Sequence, residues 1–180
     1  ENDNYALGAS YADYETEVIA GNTFDFVALH GESIVEAGYS FSSASRRAVE
    51  AGDVALKGYD VVDLLLGKQR TTMVGRGAME YKYVAYGEAM QRELKHYLSS
   101  GGALFVSGSY GLTDLWTAPT ATDADRRFAE EVLHVAFGGD RATRRGDVRA
   151  VPSSFTQKRF DVEFNTELND EIYSVESPEV

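Results

Sequence analysis

The amino-acid sequence predicts one α/β domain with a three-layer, doubly wound and mostly parallel sheet. Two observations lead to this prediction. Short apolar runs of strand length recur along the chain, and stretches whose apolar residues lie three or four positions apart separate them. An alternation of strands and helices requires crossover connections, which are right-handed and make the strands parallel, with helices on both faces of the sheet.

The first part of the domain is predicted to contain two strands around a short helix. Residues 26–29 are an apolar run, which predicts a buried first strand. Ser33 can then cap a helix over residues 34–37. Polar and apolar residues alternate over residues 39–42, as they do in a strand with one buried face.

A second helix and a central strand follow. Ser43 or Ser45 can cap a helix over residues 46–51, and Gly52 can end it. Residues 61–66 are a longer apolar run and predict the central strand.

Two features of this region are unusual. Asp63 is a polar residue within the predicted central strand, so it needs either a hydroxyl partner or access to solvent. The polar connection over residues 67–87 is long, and loops of that length are often functional.

Basic residues gather at positions 68–82 and again at 141–149, which is compatible with a local anion site as well as with solvated surface.

The second half begins with the clearest helix pattern in the chain. Within residues 87–100, Met90, Leu94 and Leu98 recur every four positions, and two glycines then stop the helix. Residues 103–106 predict the next buried strand.

One more helix and a hairpin complete the predicted domain. Thr122 and Asp125 have the spacing of a capping box ahead of an amphipathic helix, which the glycines at positions 138 and 139 are predicted to end. Residues 141–164 alternate in the manner of strands joined by a hairpin.

The predicted organisation has three parts. Residues 1–22 are polar without a clear period, and we expect an irregular arm there. Residues 23–168 form the single α/β domain. Residues 169–180 are acidic and polar, as expected at the start of a linker to a further module, and the first residue, Glu1, suggests a processed or excised segment.

Composition excludes several functional classes. The formal net charge is −12, from 29 acidic and 17 basic residues, which opposes binding to nucleic acid or to an anionic membrane surface. No apolar run is long enough to insert into a membrane. The absence of cysteine excludes disulfides, thiolate metal sites and a cysteine nucleophile. We expect neither a cofactor nor a metal.

Three stretches of the sequence resemble a known family. They are GYDVVDLLLGKQ at residues 58–69, GGALFVSG at residues 101–108 and TDLW at residues 113–116. Together they resemble the flavodoxin-like, class I glutamine-amidotransferase-like domain of secreted bacterial proteins that are labelled xanthan lyases or that carry golvesin-type modules. The resemblance covers about residues 21–151 and concerns strands and turns, so it implies the fold more than any chemistry.

The resemblance implies a module without glutaminase activity. Amidotransferases carry a cysteine nucleophile in the turn after a central strand, where this chain has Ser107, Gly108, Ser109 and Tyr110. The implied role is therefore a non-catalytic or cryptic module that binds or scaffolds polysaccharide or cell-envelope material. The implied partners are polysaccharide and other domains of the same parent chain, and the implied location is secreted or on the cell surface.

A serine-type hydrolase or esterase acting on a carbohydrate-derived substrate is the alternative. Ser109 stands among small residues, as the serine of a nucleophile elbow does, although Ser107 replaces the glycine expected two positions earlier. His30 would be the base, and Glu32 or Asp114 would orient it.

In a doubly wound sheet, ligands bind outside the carboxyl ends of the strands. Besides the triad candidates, that edge is predicted to gather five candidate ligand-binding residues, which are Gln69, Arg70, Ser107, Tyr110 and Trp116. The third hypothesis, a purely structural spacer between modules, predicts no concave polar site at all.

Overall fold

The computed structural model describes residues 26–67, 69–74, 80–82, 84–108, 110–139, 147–152 and 159–163. The predicted arm over residues 1–22, the predicted linker over residues 169–180 and the candidate nucleophile Ser109 lie outside these ranges.

The described residues form short helices and strands. In chain order they are α1 (Phe26–Glu36), α2 (Arg46–Glu50), a 3-10 turn (Leu56–Gly58), β1 (Val61–Gly67), β2 (Thr72–Val74), β3 (Glu80–Lys82), α3 (Glu88–Ser99), β4 (Ala103–Gly108), α4 (Thr113–Trp116), α5 (Asp123–Phe128), a π-helical turn (Ala129–Leu133), β5 (Asp147–Arg149) and β6 (Asp161–Glu163).

The described strands form three two-stranded sheets. β1 and β4 are parallel, with Asp63 opposite Phe105 and Leu65 opposite Ser107, whereas β2–β3 and β5–β6 are antiparallel. The protein is therefore a mixed α/β chain with a two-stranded parallel sheet. The predicted strands at residues 61–66 and 103–106 are confirmed, and so is a hairpin within residues 141–164.

The long connection after β1 is more ordered than predicted. Residues 67–87 were expected to be a loop, but β2 and β3 pair within it. Each of these strands has only three residues. A strand this short does not produce the alternation over four to eight residues by which strands are recognised in a sequence.

The predicted first strand is wrong, because residues 26–29 begin the helix α1. Val27 is 36% and Leu29 is 50% exposed, so the apolar run does not enter a sheet. Ser33, the predicted cap, lies inside the helix and donates a hydrogen bond to the carbonyl oxygen of Leu29 at 3.2 Å. A serine inside a helix commonly bonds the carbonyl four residues earlier in this way.

The predicted second strand is also wrong. Residues 39–42 belong to no strand, and Tyr39 is 72% exposed. The aromatic ring of Phe41 instead lies against the backbone of Gly31 in α1, in the space that a β-carbon at position 31 would occupy. The alternation of residues 39–42 therefore reflects one contact with a helix and not the face of a sheet.

The helix signals in the middle of the chain are confirmed. The Ser45 side chain accepts a hydrogen bond from the Ala48 N–H at the start of α2, and Gly52 follows that helix with a φ of +82°. Gly101 follows α3 with a φ of +93°, a conformation in which glycine is not strained.

The hydrophobic core lies on one face of the β1–β4 sheet. Leu64, Leu66, Leu104 and Val106 of the strands pack against buried residues of the surrounding helices and loops, which include Val49, Ala85, Tyr86, Met90, Leu94, Leu115, Phe128 and Ala129. On the other face, Val61 is 61% and Phe105 is 46% exposed. Among the described residues, one face of the β1–β4 sheet is therefore packed against the core and the other face is largely exposed.

Helix α5 begins with the predicted capping box. The Thr122 hydroxyl accepts from the Asp125 N–H at 3.3 Å, and the Asp125 carboxylate accepts from the Thr122 N–H at 2.8 Å. The predicted end of the helix is wrong, because the chain leaves the π-helical turn at Leu133 and His134 has a left-handed φ of 56°. The left-handed residue ends the helix before the glycine pair is reached.

We expect Thr122→Ala to lower the free energy of unfolding by about 1 kcal/mol, since it removes an N-cap acceptor and one half of the capping box. Chemical denaturation measures the change, and Thr117→Ala is the control because Thr117 is exposed. Equal stability of the two variants would contradict this prediction.

None of the helices in the described ranges has both the length and the apolar character needed to cross a membrane.

Candidate functional site

Asp114 is the buried acidic residue at the carboxyl end of the parallel sheet. It lies in α4, the next helix after β4, and is 5% exposed. Its carboxylate accepts a hydrogen bond from the Thr71 N–H at 2.6 Å and another from the Ala85 N–H. Burial raises the pKa of Asp114 above its usual value of 3.8, and the bonds from Ala85 and Thr71 partly oppose that shift. The side chain thus ties both ends of the connection between β1 and α3 to the short helix α4.

Gln69 holds the same connection from the other side. It is 8% exposed, its N–H bonds the Leu66 carbonyl, and its side-chain amide donates to the Val84 carbonyl oxygen at 3.0 Å. Arg46 of α2 donates to that carbonyl as well and forms an ion pair with Glu50 at 2.9 Å. The backbone on both sides of the β2–β3 hairpin is therefore anchored by side chains.

Arg70 and Tyr110 meet at this edge. Arg70 follows β1 and Tyr110 follows β4, and the guanidinium carbon lies 4.3 Å from the centre of the tyrosine ring. Tyr110 is only 3% exposed, whereas Arg70 is half-buried. The arginine therefore covers the ring.

The other two candidate ligand-binding residues occupy different settings. Ser107 is half-buried near the end of β4, opposite Leu65. Trp116 is half-buried and packs against the hydrophobic core. The structure thus brings Gln69, Arg70, Tyr110 and Asp114 to one edge.

His30 is paired with an acidic residue that the sequence did not indicate. Its Nδ1 lies 2.7 Å from Oδ2 of Asp63, a contact that joins α1 to the middle of β1. A carboxylate accepts hydrogen bonds, so the proton in this contact is carried by Nδ1 of His30. The predicted partners differ from this arrangement, because Glu32 is exposed on α1 and the Asp114 carboxylate binds backbone N–H groups.

The parallel sheet separates His30 from Asp114. Leu64 and Leu66 of β1 pack into the core. Leu115, the neighbour of Asp114, and Ala85, whose N–H binds the Asp114 carboxylate, are buried in the same core. Side chains alternate between the two faces of a strand, so Asp63 points away from the core. His30, bonded to Asp63, lies on that opposite side.

Asp63 is the functional candidate that sequence reasoning missed as the partner of His30. The available signal was its position as a lone carboxylate in an apolar strand, which requires a polar partner. The sequence did not say which residue that partner would be, because the predicted strand at residues 26–29 placed His30 at the end of a strand. As part of α1, His30 instead contacts Asp63 on the face of the sheet opposite the core.

Comparisons of the chain with protein-family models, with curated proteins and with solved structures find no match. The described residues also contain no cluster of three His, Asp or Glu side chains suited to a metal ion. Functional inference therefore depends on the residues and contacts of this chain.

Proposed function

We propose that the chain is a non-catalytic or cryptic amidotransferase-like module of a larger secreted or surface bacterial protein, and that it binds or scaffolds polysaccharide or cell-envelope material. The proposal begins from the resemblance of residues 58–69 and 101–108 to that family and from the lack of a cysteine nucleophile. It includes a three-layer, doubly wound fold built around the β1–β4 pair.

The observation on which the proposal rests is that backbone N–H groups engage the Asp114 carboxylate, so that this acid at the edge of the sheet does not orient His30. The Asp114 carboxylate binds two backbone N–H groups, and the sheet lies between it and His30. An acid that orients a catalytic histidine must bind that histidine. At the carboxyl edge of the sheet, the polar side chains Gln69 and Asp114 hold the backbone in place, as the framework of a binding site does.

The proposal is tested by affinity electrophoresis of the purified chain through gels that contain neutral or acidic bacterial polysaccharides. We expect at least one polysaccharide to retard the protein. The Ser109→Ala variant should bind within about twofold of the parent chain, since a binding module does not use the Ser109 hydroxyl as a nucleophile.

Two outcomes of that experiment contradict the proposal. Migration unaffected by every polysaccharide would favour the structural spacer. Release of new reducing ends or acid by the parent chain, and not by Ser109→Ala, would favour the hydrolase.

A serine-type hydrolase is the second candidate, and the His30–Asp63 contact of 2.7 Å favours it. This contact has the chemistry of the base and orienting acid in a triad, with the side chain of His30 34% exposed. The strand register opposes the hydrolase. Asp63 is level with Phe105, which lies three residues, or about 10 Å along a strand, before Gly108. The candidate nucleophile Ser109 follows Gly108 in the sequence.

The hydrolase is tested with short acyl esters of p-nitrophenol. It requires turnover by the parent chain that falls by about a thousandfold or more in both Ser109→Ala and His30→Asn. The non-catalytic proposal predicts the same background rate for all three proteins.

A further inference from the structure

We propose that an open cleft at the end of the helical segment after α5 binds a cationic amino sugar, with Glu130 holding the ammonium group and His134 a hydroxyl group. This inference rests on the proposed binding function and adds a site and a ligand class to it. The cleft has a volume of about 370 Å³ and is lined by Glu130, His134, Val135 and Ala136. A volume of that order is typical of small-molecule sites.

The backbone that builds the cleft is unusual in two ways. Residues Ala129–Leu133 form a π-helical turn, and His134 directly after it has a left-handed φ of 56°. π-helical turns occur frequently at functional sites, and a left-handed residue other than glycine persists only where its surroundings hold it. Here the N–H groups of His134 and Val135 both bond the Ala129 carbonyl. Main-chain bonds therefore hold these two side chains at the cleft.

The cleft lies at the negative end of a helical segment. The carbonyl groups of a last helical turn carry partial negative charge, and the N–H groups of His134 and Val135 are used by Ala129 and do not cap the later carbonyls. The Glu130 carboxylate adds a negative charge. Among the described residues it has no hydrogen bond or ion pair, whereas Asp123 of α5 pairs with Arg126 at 2.7 Å. This arrangement favours a cationic ligand.

The lining side chains favour an organic cation over a metal ion. Glu130 and His134 are two potential ligands, and the described residues contain no group of three His, Asp or Glu side chains that could hold a metal. An imidazole can donate and accept hydrogen bonds, which suits a sugar hydroxyl. Val135 and Ala136 offer apolar surface to the C–H face of a sugar ring. A ring with ammonium and hydroxyl groups, such as glucosamine, uses all three kinds of contact.

The test compares oligosaccharides of glucosamine with the same oligosaccharides after N-acetylation, which removes the charge and keeps the ring. Isothermal titration calorimetry uses the full chain in a mildly acidic buffer that keeps the amines protonated. We expect at least about tenfold tighter binding of the glucosamine form, because N-acetylation removes a charge-assisted hydrogen bond. Added salt should weaken the binding of the glucosamine form only.

Two neighbouring glutamates provide matched variants. Glu130→Gln should weaken glucosamine binding by about tenfold, because it removes the carboxylate from the cleft. Glu131→Gln is the control, since Glu131 is exposed in the same π-helical turn but does not line the cleft. Both variants lose one negative charge, so a general attraction between the acidic chain and a cationic ligand would fall equally in both.

A third variant, His134→Gly, separates the imidazole from the backbone. Glycine adopts a left-handed φ without strain, so the turn should be kept while the imidazole contact is lost. We expect about threefold weaker glucosamine binding, which corresponds to the loss of one neutral hydrogen bond. Thermal melts should show that all three variants are folded.

Each outcome separates this inference from the proposed function. Equal binding of the two oligosaccharide forms, equal affinity of Glu130→Gln and Glu131→Gln, or full glucosamine affinity in His134→Gly overturns the cleft as an amino-sugar site. The proposed function stands in those cases if any polysaccharide retards the chain in affinity electrophoresis. Failure of the chain to bind any oligosaccharide or polysaccharide overturns the proposed function, and the cleft with it.

Discussion

Replacing Asp114 with alanine is expected to lower the free energy of unfolding by about 2–4 kcal/mol, because it leaves the buried N–H groups of Thr71 and Ala85 without an acceptor. Each unpaired buried donor costs about 1–3 kcal/mol. Urea denaturation followed by circular dichroism measures the loss. Asp123→Ala is the control, since the Asp123 side chain is 83% exposed.

The same carboxylate predicts a pH dependence with a definite sign. Burial raises the folded-state pKa of Asp114 above 3.8, so the folded protein binds this proton more tightly than the unfolded chain does. The stability that this proton provides is complete below pH 3.8 and is lost as the pH rises through the folded-state pKa. The amide in the Asp114→Asn variant does not titrate, so the stability deficit of this variant should shrink over that range. A deficit that grows with pH would contradict the direction of the shift.

Leu94→Ala is expected to lower the free energy of unfolding by about 3 kcal/mol, through lost burial and the cavity left behind. Leu94 is 0% exposed and lies in the core between α3 and the β1–β4 sheet. Urea denaturation measures the change. Leu29→Ala is the matched control, since Leu29 is also helical but is 50% exposed, and we expect a change of about 0.5 kcal/mol or less.

This pair of variants also tests whether residues 26–29 form the start of helix α1 and not a buried strand. If residues 26–29 were the buried strand that their composition suggests, Leu29→Ala would destabilise the protein about as much as Leu94→Ala does. Similar losses in the two variants would therefore contradict the exposed position of Leu29 on α1.

Sequence reasoning succeeded where the chemistry is local. Ser45 caps α2 and Thr122 caps α5 because each side chain bonds a backbone N–H three residues away, and those partners are visible in the sequence. The strands at residues 61–66 and 103–106 were also predictable, since each is an apolar run of strand length beside a turn. At the carboxyl edge, the prediction that Arg70, Tyr110 and Asp114 gather follows from parallel pairing alone.

Sequence reasoning failed where burial decides the structure. An apolar quartet such as residues 26–29 suits a buried strand and a helix equally well, and the choice depends on what covers it. The end of the helix after α5 was missed for a related reason. His134 adopts a left-handed φ, which for a residue other than glycine depends on tertiary context more than on its own preference.

The sequence by itself therefore determined an α/β chain with its caps, its two parallel strands and part of the set of polar residues near their carboxyl ends, namely Gln69, Arg70, Tyr110 and Asp114. Only the tertiary structure decided the partners of those residues. His30 binds Asp63 across 33 positions, and Asp114 binds Thr71 across 43 positions. Contacts that distant depend on how helices and strands pack in three dimensions, which side-chain periodicity along the chain does not encode.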